Sequence, residues 1–439
     1  MLDVLLINSP LYNQKIESNE RFLPPFGLGY IGNELRKKNL GTELLDCVLE
    51  NLTVPEVISS IDRKQPRFVG INIFSVNFEL VKNIIEGYSG DVTFLIGGRS
   101  AGVLCNQILD FETDNRIIVI IGEGDYIASD IVLGDLKERP SYVRNENRLA
   151  YTVDGESIYF PNDLSFLSPD RKLFRNRVLI NSFGHKEATI ITSRECLYDC
   201  AFCGAARSLN QDVPVRESSE KAIICELKAI ATLDSDIEDI RVLDDLFLKN
   251  QSSVERAIRI FGSFSYKWRA MAHVISLKNV ELSHLVALRK SGCEELEIGI
   301  ESGDREMRRL INKKGSVGDV VETITKILKA GINVKGYFIY GFPNETFNQC
   351  QKTFNLAQKM AEVAKGTEAH FRASAFSFRP YHGTKLYDMI KESQQINFRH
   401  DNMLDGLTGR KQFNFSAGNF SACTEEELRN FVIRTNMLQ

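Results

Sequence analysis

The sequence predicts an α/β protein with two parallel sheets: a doubly wound sheet, then a partial barrel of six β/α units, then a small helical cap. Two observations support this fold class. Short apolar segments alternate with amphipathic segments of helical period along most of the chain, as in parallel α/β folds. The 439 residues also exceed what one hydrophobic core normally organises, so we expect two domains and a small appendage.

The first domain, residues 1–133, is predicted from the spacing of its apolar segments. We expect strands at residues 4–7, 42–45, 68–73, 93–96 and 117–121, with helical segments such as 27–37 and 78–85. The turns after the last two strands contain Gly97, Gly98, Gly122, Glu123 and Gly124. Open parallel sheets bind ligands at the carboxyl ends of their strands. These turns therefore predict a site for a cofactor tail or a phosphate in a Rossmann-like domain.

The rest of the chain is predicted as a linker, a barrel and a cap. Residues 134–187 are polar and rich in turn residues, which favours a linker. Over residues 188–384 we expect strands at 188–192, 239–243, 268–273, 295–300, 335–339 and 371–378. Six units are too few to close like an eight-unit barrel. In the cap, residues 385–439, a helix at 424–437 and the aromatic stretch 413–415 are expected to cover the open edge.

The charge balance argues against a nucleic-acid or membrane partner. The chain has 54 basic and 58 acidic residues and a net charge of -4, which gives no general attraction to anionic surfaces. We interpret the longest basic cluster as a solvated helix face rather than an RNA site; it contains Arg305, Arg308, Arg309, Lys313 and Lys314. No apolar run has membrane-spanning length and the first residues lack a basic signal-peptide start. We expect a cytoplasmic protein.

Three cysteines, Cys196, Cys200 and Cys203, follow the first barrel strand in a Cys-x3-Cys-x2-Cys spacing. Thiolates ligate iron-sulfur clusters, and a cubane with only three cysteine ligands keeps one iron open for a small ligand. Structural zinc is an alternative, but it needs four ligands, and neither Cys225 nor His185 has a paired spacing. Disulfides are disfavoured, because nine cysteines is an odd number and the other six are scattered singly.

The cysteine spacing, with Phe202 before the last cysteine, resembles the cluster motif of the radical SAM enzymes. The resemblance implies a 4Fe-4S cluster held by the three cysteines and S-adenosylmethionine chelated to the open iron. It also implies reductive cleavage to a 5′-deoxyadenosyl radical, with electrons from an external one-electron donor such as a flavodoxin or ferredoxin. The radical would then abstract a hydrogen from an unactivated carbon of a small-molecule substrate.

Polar residues at successive strand ends match further positions of this family. By resemblance, Asp244 and Asp245 stand where the methionine amino group is accepted, in place of the more familiar Gly-Gly-Glu. Glu301, followed by Ser302, matches the acid that binds the ribose hydroxyls, because a carboxylate can accept both hydroxyl donors. Gly341 begins the turn that flanks the adenine. Taken singly these acids could be helix caps or loop charges, but their recurrence at strand ends favours cofactor binding.

The catalytic residues for the substrate stay unknown from sequence, with three candidates. They are His273, Tyr340 and His382, all near predicted strand ends. For His273 the structural interpretation is the stronger one, since a lone histidine at a strand end is more often a satisfied structural group than an acid or base.

The first domain resembles the cobalamin-binding domain that precedes the barrel in one large radical SAM class. The matching segments are residues 24–30, 69–72, 97–98 and 122–125. Two departures concern histidine: Arg99 and Ser100 follow the glycine pair, and no histidine precedes His185. The resemblance therefore implies cobalamin bound without a histidine ligand, and a degenerate domain is the alternative.

The sequence as a whole favours cobalamin-dependent methylation of an unactivated carbon in a natural-product or cofactor precursor. Cobalamin-independent rearrangement, cyclisation or oxidation stays open. Modification of RNA or protein is disfavoured by the neutral charge balance and the absence of an RNA-binding appendage. A non-catalytic cobalamin or metal sensor would leave the cysteines and the strand-end acids unexplained.

Overall fold

The computed structural model describes residues 2–11, 15, 23–174, 179–391 and 418–438. The chain divides into two compact units. The first unit comprises Met1–Arg177, Asp212–Pro214 and Tyr381–Gly383, and the second comprises Val178–Gln211, Val215–Pro380 and Thr384–Gln439. Among the described residues, no helix combines the length and the apolar character needed to cross a bilayer.

The first unit is a seven-stranded sheet with helices on its faces. Its strands are β1 Val4–Asn8, β2 Thr42–Asp46, β3 Phe68–Asn72, β4 Thr93–Gly97, β5 Arg116–Gly122, β6 Tyr142–Asn145 and β7 Arg148–Val153. Its helices are α1 Phe26–Lys37, α2 Val54–Lys64, α3 Phe78–Gly87, α4 Cys105–Leu109 and α5 Ile127–Leu133. The strand order is β2-β1-β3-β4-β5-β7-β6, and only the β6–β7 pair is antiparallel.

The predicted doubly wound sheet is confirmed, because its strands bury residues on both faces. In β1, Leu5 and Ile7 pack into one apolar cluster, while Val4 and Leu6 pack into another. Helices on both faces explain why the strand reads as a continuous apolar run rather than an alternating one. The order 2-1-3-4-5 reverses between β1 and β3, which is the topological switch point of flavodoxin-like sheets.

The hairpin of β6 and β7 lies where the sequence predicts linker. β7 pairs with β5 in parallel and buries Leu149, Ala150 and Tyr151. The polar residues that suggest a linker, Glu146 and Asn147, form the turn of this hairpin. A tight turn between two short strands has the same composition as a linker, so the sequence pattern does not distinguish them. The predicted domain limits stay a prediction.

The second unit is an open barrel in which six of the seven strands of the main sheet run parallel. Its strands are β8 Leu179–Ile180, β9 Lys186–Ile190, β10 Ser193–Arg194, β11 Arg216–Glu217, β12 Asp239–Val242, β13 Lys267–Ala272, β14 Cys293–Glu301, β15 Asn333–Tyr340 and β16 Phe371–Ser377. The main sheet has the order β16-β15-β14-β13-β12-β9-β8, with β8 antiparallel to β9, and β10 pairs separately with β11. This sheet confirms the predicted partial barrel.

Nine helices of the second unit lie within the described residues. They are α6 Glu220–Leu233, α7 Gln251–Phe261, α8 Val274–Lys278, α9 Leu282–Lys290, α10 Arg305–Leu310, α11 Val317–Lys329, α12 Phe347–Lys365, α13 Lys385–Lys391 and α14 Glu425–Asn436. Ser219 caps α6, since its side chain accepts from the Ala222 amide. After α14, the Leu438 carbonyl accepts from the Ala373 amide of edge strand β16. The predicted stretch 413–415 lies outside the described residues.

Strand β14 contains two irregularities that bear on function. Against β13, Trp268 pairs with Cys293 and Arg269 with Glu295, so β14 has one extra residue, Glu294. Against β15, β14 has an extra residue again, Ile300, just before its last residue. Bulges of this kind redirect side chains and are frequent beside active sites.

Candidate active site

The three cysteines lie in a loop of the second unit that is closed at its base by the pairing of β10 with β11. Asp244, two residues after β12, fixes the start of this loop. Its carboxylate accepts hydrogen bonds from the Thr192 amide and hydroxyl, both at 2.6 Å, and from the Ser193 hydroxyl at 2.7 Å. The carboxylate is buried, and these bonds occupy it, so Asp244 positions the loop.

Backbone bonds hold the cysteine loop in one conformation. The Ala201 amide donates to the Ile311 carbonyl at 2.9 Å, and the Arg207 amide donates to the Tyr198 carbonyl at 2.9 Å. Two amides point at sulfur: Tyr198 N lies 3.5 Å from the Cys196 Sγ, and Ala205 N lies 3.4 Å from the Cys203 Sγ. Hydrogen bonds to sulfur are among the interactions that tune iron-sulfur clusters.

The three thiols have the chemistry of a cluster site. All nine cysteines of the chain are free. Burial raises the pKa of Cys196 and of Cys200, and raises the pKa of Cys203 to about 11. The positive charge of Lys313 opposes this rise at all three sulfurs. Three neighbouring thiols beside a buried cation fit a group that binds them as thiolates, since ligation must displace their protons.

Lys313 forms a buried ion pair with Glu301 at the end of β14. The Lys313 Nζ lies 3.1 Å from the Glu301 Oε1, and the two side chains are 6% and 8% exposed. The charge of Glu301 and that of Cys200 raise the pKa of Lys313, although burial opposes the rise. The sequence interpretation of this basic cluster as a solvated helix face is therefore wrong at Lys313, because its partner is brought there by the fold.

Arg308 of the same basic cluster is also buried. Its guanidinium donates to the carbonyls of Ile300 at 2.7 Å, Ser302 at 3.0 Å and Gly315 at 2.8 Å. These carbonyls belong to the end of β14 and to the turn before α11. Arg308 thus ties the loop that follows β14 into place, which is a structural role rather than a nucleic-acid contact.

The backbone around Glu301 is shaped to present its carboxylate. Glu301 has a φ of 65°, in the left-handed region, directly after the β14–β15 irregularity. A left-handed conformation at a residue other than glycine is uncommon and concentrates at functional sites. Gly299 provides the space: a Cβ there would lie 2.2 Å from the Glu301 Oε1 and 2.8 Å from the Lys313 Nζ. Sequence reasoning missed both Lys313 and Gly299.

The remaining predicted cofactor residues of this unit differ in their surroundings. Asp245 is half-buried, and its charge raises the pKa of Cys196 and Cys203, so it lies beside the cysteine loop. The Ser302 side chain is buried, and its hydroxyl forms a hydrogen bond of 3.1 Å with the Thr353 hydroxyl, so its contact is with the protein interior. Phe202 packs its ring 5.7 Å from that of Phe342.

Gly341 begins a turn that is held by a buried acid. It has a φ of 88°, and its amide donates to the Glu345 Oε2 at 2.7 Å. The Phe342 amide donates to the same oxygen at 3.2 Å. Burial raises the pKa of Glu345 to about 7. The sequence located this turn from Gly341 but missed the acid that fixes it.

In the first unit, the predicted glycine turns serve close approaches within the sheet. Gly98 has a φ of 111°, and a Cβ there would lie 2.9 Å from the Ile73 carbonyl oxygen. Gly122 has a φ of 90°, and its Cβ would lie 2.2 Å from the Val153 oxygen. Internal packing therefore accounts for these two glycines, whether or not a ligand binds nearby.

A polar network, missed by the sequence prediction, lines the switch point of the first sheet. The Asn72 side chain donates to the Asn8 Oδ1 at 2.9 Å, and Asn8 donates to the Asp46 Oδ1 at 2.7 Å. The Ser9 amide donates to the Asn72 Oδ1 at 2.8 Å, and the Asn77 side chain donates to the Ser9 hydroxyl at 2.6 Å. These residues follow or end β1, β2 and β3, where open sheets bind ligands.

Comparisons with known proteins agree with this geometry. A family profile described as the radical SAM superfamily matches residues 190–357, which include the cysteine loop and strands β12 to β15. Residues 190–357 are therefore a radical SAM domain. This domain lies in the second unit, and together with the methyltransferase-named relatives described next it makes the chain an enzyme rather than a non-catalytic sensor.

Relatives of this radical SAM enzyme include named methyltransferases. It is 24% identical over 412 residues to the "Uncharacterized methyltransferase PH0819" of Pyrococcus horikoshii, covering 89% of this chain and 84% of that protein. It is 26% identical over 330 residues to the hopanoid C-3 methylase of Methylococcus capsulatus, covering 71% of this chain and 60% of that protein.

Solved structures share the fold over nearly the whole chain. The cobalamin-dependent S-adenosylmethionine radical enzyme OxsB, with aqua-cobalamin and S-adenosylmethionine bound, matches with a TM-score of 0.69 and 17% identity, covering 98% of this chain and 66% of that chain. The radical S-adenosylmethionine methyltransferase TsrM from Kitasatospora setae, with cobalamin and a 4Fe-4S cluster bound, gives 0.63 and 12%, covering 90% and 75%.

His273 is a neutral, buried residue of the radical SAM domain. It caps α8, where its Nδ1 accepts from the Ile275 amide at 3.1 Å, and its ring stacks on Tyr198 at 3.9 Å. Burial, assisted by the charges of Lys313 and Arg308, lowers its pKa to about 2. A neutral imidazole that accepts at Nδ1 carries its proton on Nε2, so His273 can donate to a ligand but cannot serve as a cationic acid.

The other two candidate catalytic residues have different surroundings. Tyr340 is buried in the second unit, its hydroxyl 2.7 Å from the Thr435 hydroxyl and its ring stacked on Phe431 of α14. These contacts assign Tyr340 to packing. His382 belongs to the first unit, where its amide donates to the Ser75 hydroxyl at 3.0 Å. The first unit therefore includes one imidazole, supplied by a distant segment of the chain, although no histidine precedes His185 in the sequence.

Proposed function

We propose that this radical SAM enzyme is a cobalamin-dependent methyltransferase that acts on an unactivated carbon of a small molecule in the cytoplasm. The observation that carries the proposal is that one chain has both of two sites. A loop with three thiols lies beside Lys313 and Glu301 in the second unit, and the switch point of the sheet in the first unit is lined by polar side chains. Relatives named as methyltransferases support the reaction type. Nine free cysteines suit a reducing compartment.

Cys196, Cys200 and Cys203 would hold the cluster, and Lys313 would stabilise their thiolates through its positive charge. When bound, a cluster with three cysteine ligands supplies the electron for reductive cleavage of S-adenosylmethionine. An external one-electron donor would be required. The Tyr198 and Ala205 amides, which already point at two of the sulfurs, would help to set its potential.

Glu301 and Asp245 are proposed to bind S-adenosylmethionine. Lys313 contacts Glu301 at Oε1, so the remaining acceptor positions of the carboxylate would accept the two ribose hydroxyls. Asp245 lies beside the cysteine loop and would accept the methionine amino group, whereas Asp244 only holds the loop. The backbone of the Gly341 turn would face the adenine. Glu301→Gln and Asp245→Asn should each weaken binding by about 1.5–3 kcal/mol, measured by isothermal titration.

Cobalamin is proposed to bind at the switch point of the first sheet. Ser9, Asn72, Ser75 and Ser100 provide hydroxyl and amide groups there for a polar tail. When bound, cobalamin supplies the methyl group. We propose binding without a histidine ligand, because no histidine precedes His185 in the sequence; His382, which a distant segment brings to this unit, is the residue that the axial-ligand experiment has to exclude.

The decisive experiment is anaerobic purification with analysis of iron, sulfide and cobalamin. We expect four irons and one cobalamin per chain, and formation of 5′-deoxyadenosine on reduction. Cys196→Ala should lose cluster iron and cleavage, while Cys225→Ala, which alters an exposed thiol outside the loop, should retain both. A full cluster in a variant that lacks Cys196, Cys200 and Cys203 would refute the cluster assignment.

Electron paramagnetic resonance of bound cob(II)alamin tests the axial ligand. We expect no axial nitrogen splitting in the wild type and an identical spectrum in His382→Ala. Nitrogen splitting that disappears in His382→Ala would show that His382 is the ligand and would refute binding without histidine.

A cobalamin-independent radical reaction is the second candidate. The observation in its favour concerns Gly98 and Gly122. Close backbone contacts within the sheet explain both glycines, so they are not independent evidence for a cobalamin site. Protein made with ample cobalamin that binds none, yet modifies its substrate, would establish this candidate over methyl transfer.

A further inference from the structure

A second group of metal-ligand side chains lies at the amino ends of the barrel strands, opposite the cysteine loop. His185 immediately precedes β9, Asp239 is the first residue of β12, and Glu294 is the second residue of β14. One ligand atom from each residue lies within 4.8 Å of the other two. Nothing in the proposed reaction uses these residues, and all three belong to the second unit.

The spacing fits a cation rather than direct hydrogen bonds. The His185 Nδ1 and the Glu294 Oε2 are 3.4 Å apart, which is long for a bond between an imidazole and a carboxylate. Two ligands bound about 2.1 Å from a tetrahedral Zn²⁺ lie about 3.4 Å from each other. The observed separation therefore matches two corners of a zinc site.

The ligand atoms are buried and lack hydrogen-bond partners among the described residues. These atoms are the His185 Nδ1, both carboxylate oxygens of Asp239 and the Glu294 Oε2. Asp239 is 0% exposed, and a buried carboxylate without hydrogen bonds is unfavourable unless a cation or a proton compensates it. The His185 and Glu294 side chains are 28% and 13% exposed, which leaves an entry route for an ion.

The positive charge next to His185, Asp239 and Glu294 does not balance the negative charge of the neighbouring carboxylates. Arg269 lies 3.9 Å from the Asp239 Oδ1, but it donates to Glu187 at 2.7 Å and lies 3.9 Å from Glu295. One guanidinium is thus shared among three acids. Burial raises the pKa of Asp239 against the opposing charge of Arg269, and the neighbouring carboxylates of Glu187 and Glu294 add to the rise.

Two local features aim the ligands at a common point. The Asn181 Oδ1 accepts from the amides of Phe183 at 2.9 Å and His185 at 3.0 Å, which fixes the turn of the β8–β9 hairpin. Glu294 is the extra residue of the β13–β14 irregularity, and such bulges redirect a side chain. Neither feature is required by the barrel pairing itself.

We propose that His185, Asp239 and Glu294 bind Zn²⁺, with water as the fourth ligand. Imidazole nitrogen and carboxylate oxygen are both established zinc ligands, and three protein ligands plus water make a tetrahedral site. The ion links the β8–β9 hairpin to β12 and β14, so it stabilises the partial barrel at the amino ends of its strands. The site is independent of the cysteines and of the proposed methyl transfer.

The test measures zinc in the anaerobic, cluster-loaded enzyme, in which the three loop cysteines are occupied. After equilibration with Zn²⁺ and dialysis, we expect one zinc per chain in the wild type and in Asp236→Asn, a matched control at an exposed acid. Asp239→Asn and His185→Gln should bind zinc at least tenfold more weakly. Zinc should also raise the unfolding midpoint followed by Trp268 fluorescence in the wild type but not in His185→Gln.

Three results would overturn the proposal. One is a wild type that retains no zinc, which would mean that Asp239 and Glu187 share a proton instead. Another is equal zinc binding by the wild type, His185→Gln and Asp239→Asn. The third is zinc that disappears in Cys225→Ala, which would assign the ion to a thiol. His185 is partly exposed, so its variant should fold even where Asp239→Asn does not.

Discussion

Replacing Lys313 with methionine removes one partner of the buried ion pair at the end of β14. The change keeps the length and apolar character of the side-chain stem but leaves the Glu301 carboxylate without its cation. Lys314→Met is the matched control, since Lys314 is exposed and its Nζ contacts only the Asn312 side chain, at 3.1 Å, among the described residues.

The expected loss follows from the geometry of the pair. At an effective dielectric constant of about 20, unit charges at the observed 3.1 Å attract by about 5 kcal/mol. Desolvation of Lys313 offsets part of this attraction, and removing one partner of a buried pair costs about 3–5 kcal/mol. We expect a loss in that range for Lys313→Met and at most about 0.5 kcal/mol for Lys314→Met.

The single tryptophan of the chain allows the second unit to be followed by itself. Trp268 is buried in β13, so its fluorescence during urea unfolding reports the barrel and not the first sheet. The measurement is made on reduced protein without S-adenosylmethionine, so that ligand contacts of Glu301 do not contribute. The double variant Lys313→Met/Glu301→Gln should recover part of the loss, because no unpaired charge remains.

Two outcomes would contradict this reasoning. A Lys313→Met variant with the wild-type free energy of unfolding would mean that Glu301 is solvated or protonated at no cost. A double variant no more stable than Lys313→Met would mean that the loss comes from packing around the lysine stem rather than from the unpaired carboxylate.

Two further substitutions test the assignments around the barrel. Gly299→Ala would place a methyl group 2.2 Å from the Glu301 Oε1. It should therefore destabilise the barrel by about 1–3 kcal/mol and weaken S-adenosylmethionine binding in a titration. The control variant Gly318→Ala, in the exposed start of α11, should have neither effect. Tyr340→Phe should lower the free energy of unfolding by about 1–2 kcal/mol, because Thr435 loses its partner, with 5′-deoxyadenosine formation unchanged. A loss of cleavage at wild-type stability would return Tyr340 to the active site.

The strands were predictable because their apolar residues are buried whatever the topology. The sequence predicts strands at 68–73 and 335–339, and the structure has them at Phe68–Asn72 and Asn333–Tyr340. Helices cover both faces of the first strand, so it reads as an apolar run. The second alternates: Val334, Phe338 and Tyr340 belong to the apolar cluster of the second unit, and Lys335 and Tyr337 do not. The three cysteines were also recognisable, since their spacing within one short loop needs no tertiary information.

The parts of the site that depend on distant contacts were not predictable. Lys313 is charged and lies in a basic segment, and only the left-handed turn at Glu301 gives it a buried partner. His382 is separated by some 300 positions from Ser75, so counting histidines along the first domain misses it. Glu294 and Glu295 are adjacent acids, and no local pattern reveals which of them the bulge redirects.

Strand β14 has an irregularity near each end, and its central residues Leu296, Glu297 and Ile298 pair in regular register with both neighbouring strands. A shift of one residue normally turns every side chain of a strand to the opposite face. Here each end accommodates its own extra residue, so a change in chain length near Glu294 need not propagate to Glu301. The regular centre therefore separates the two ends of the strand: an insertion or deletion beside Glu294 would change the amino end of the barrel and leave the acid beside the cysteines in its orientation.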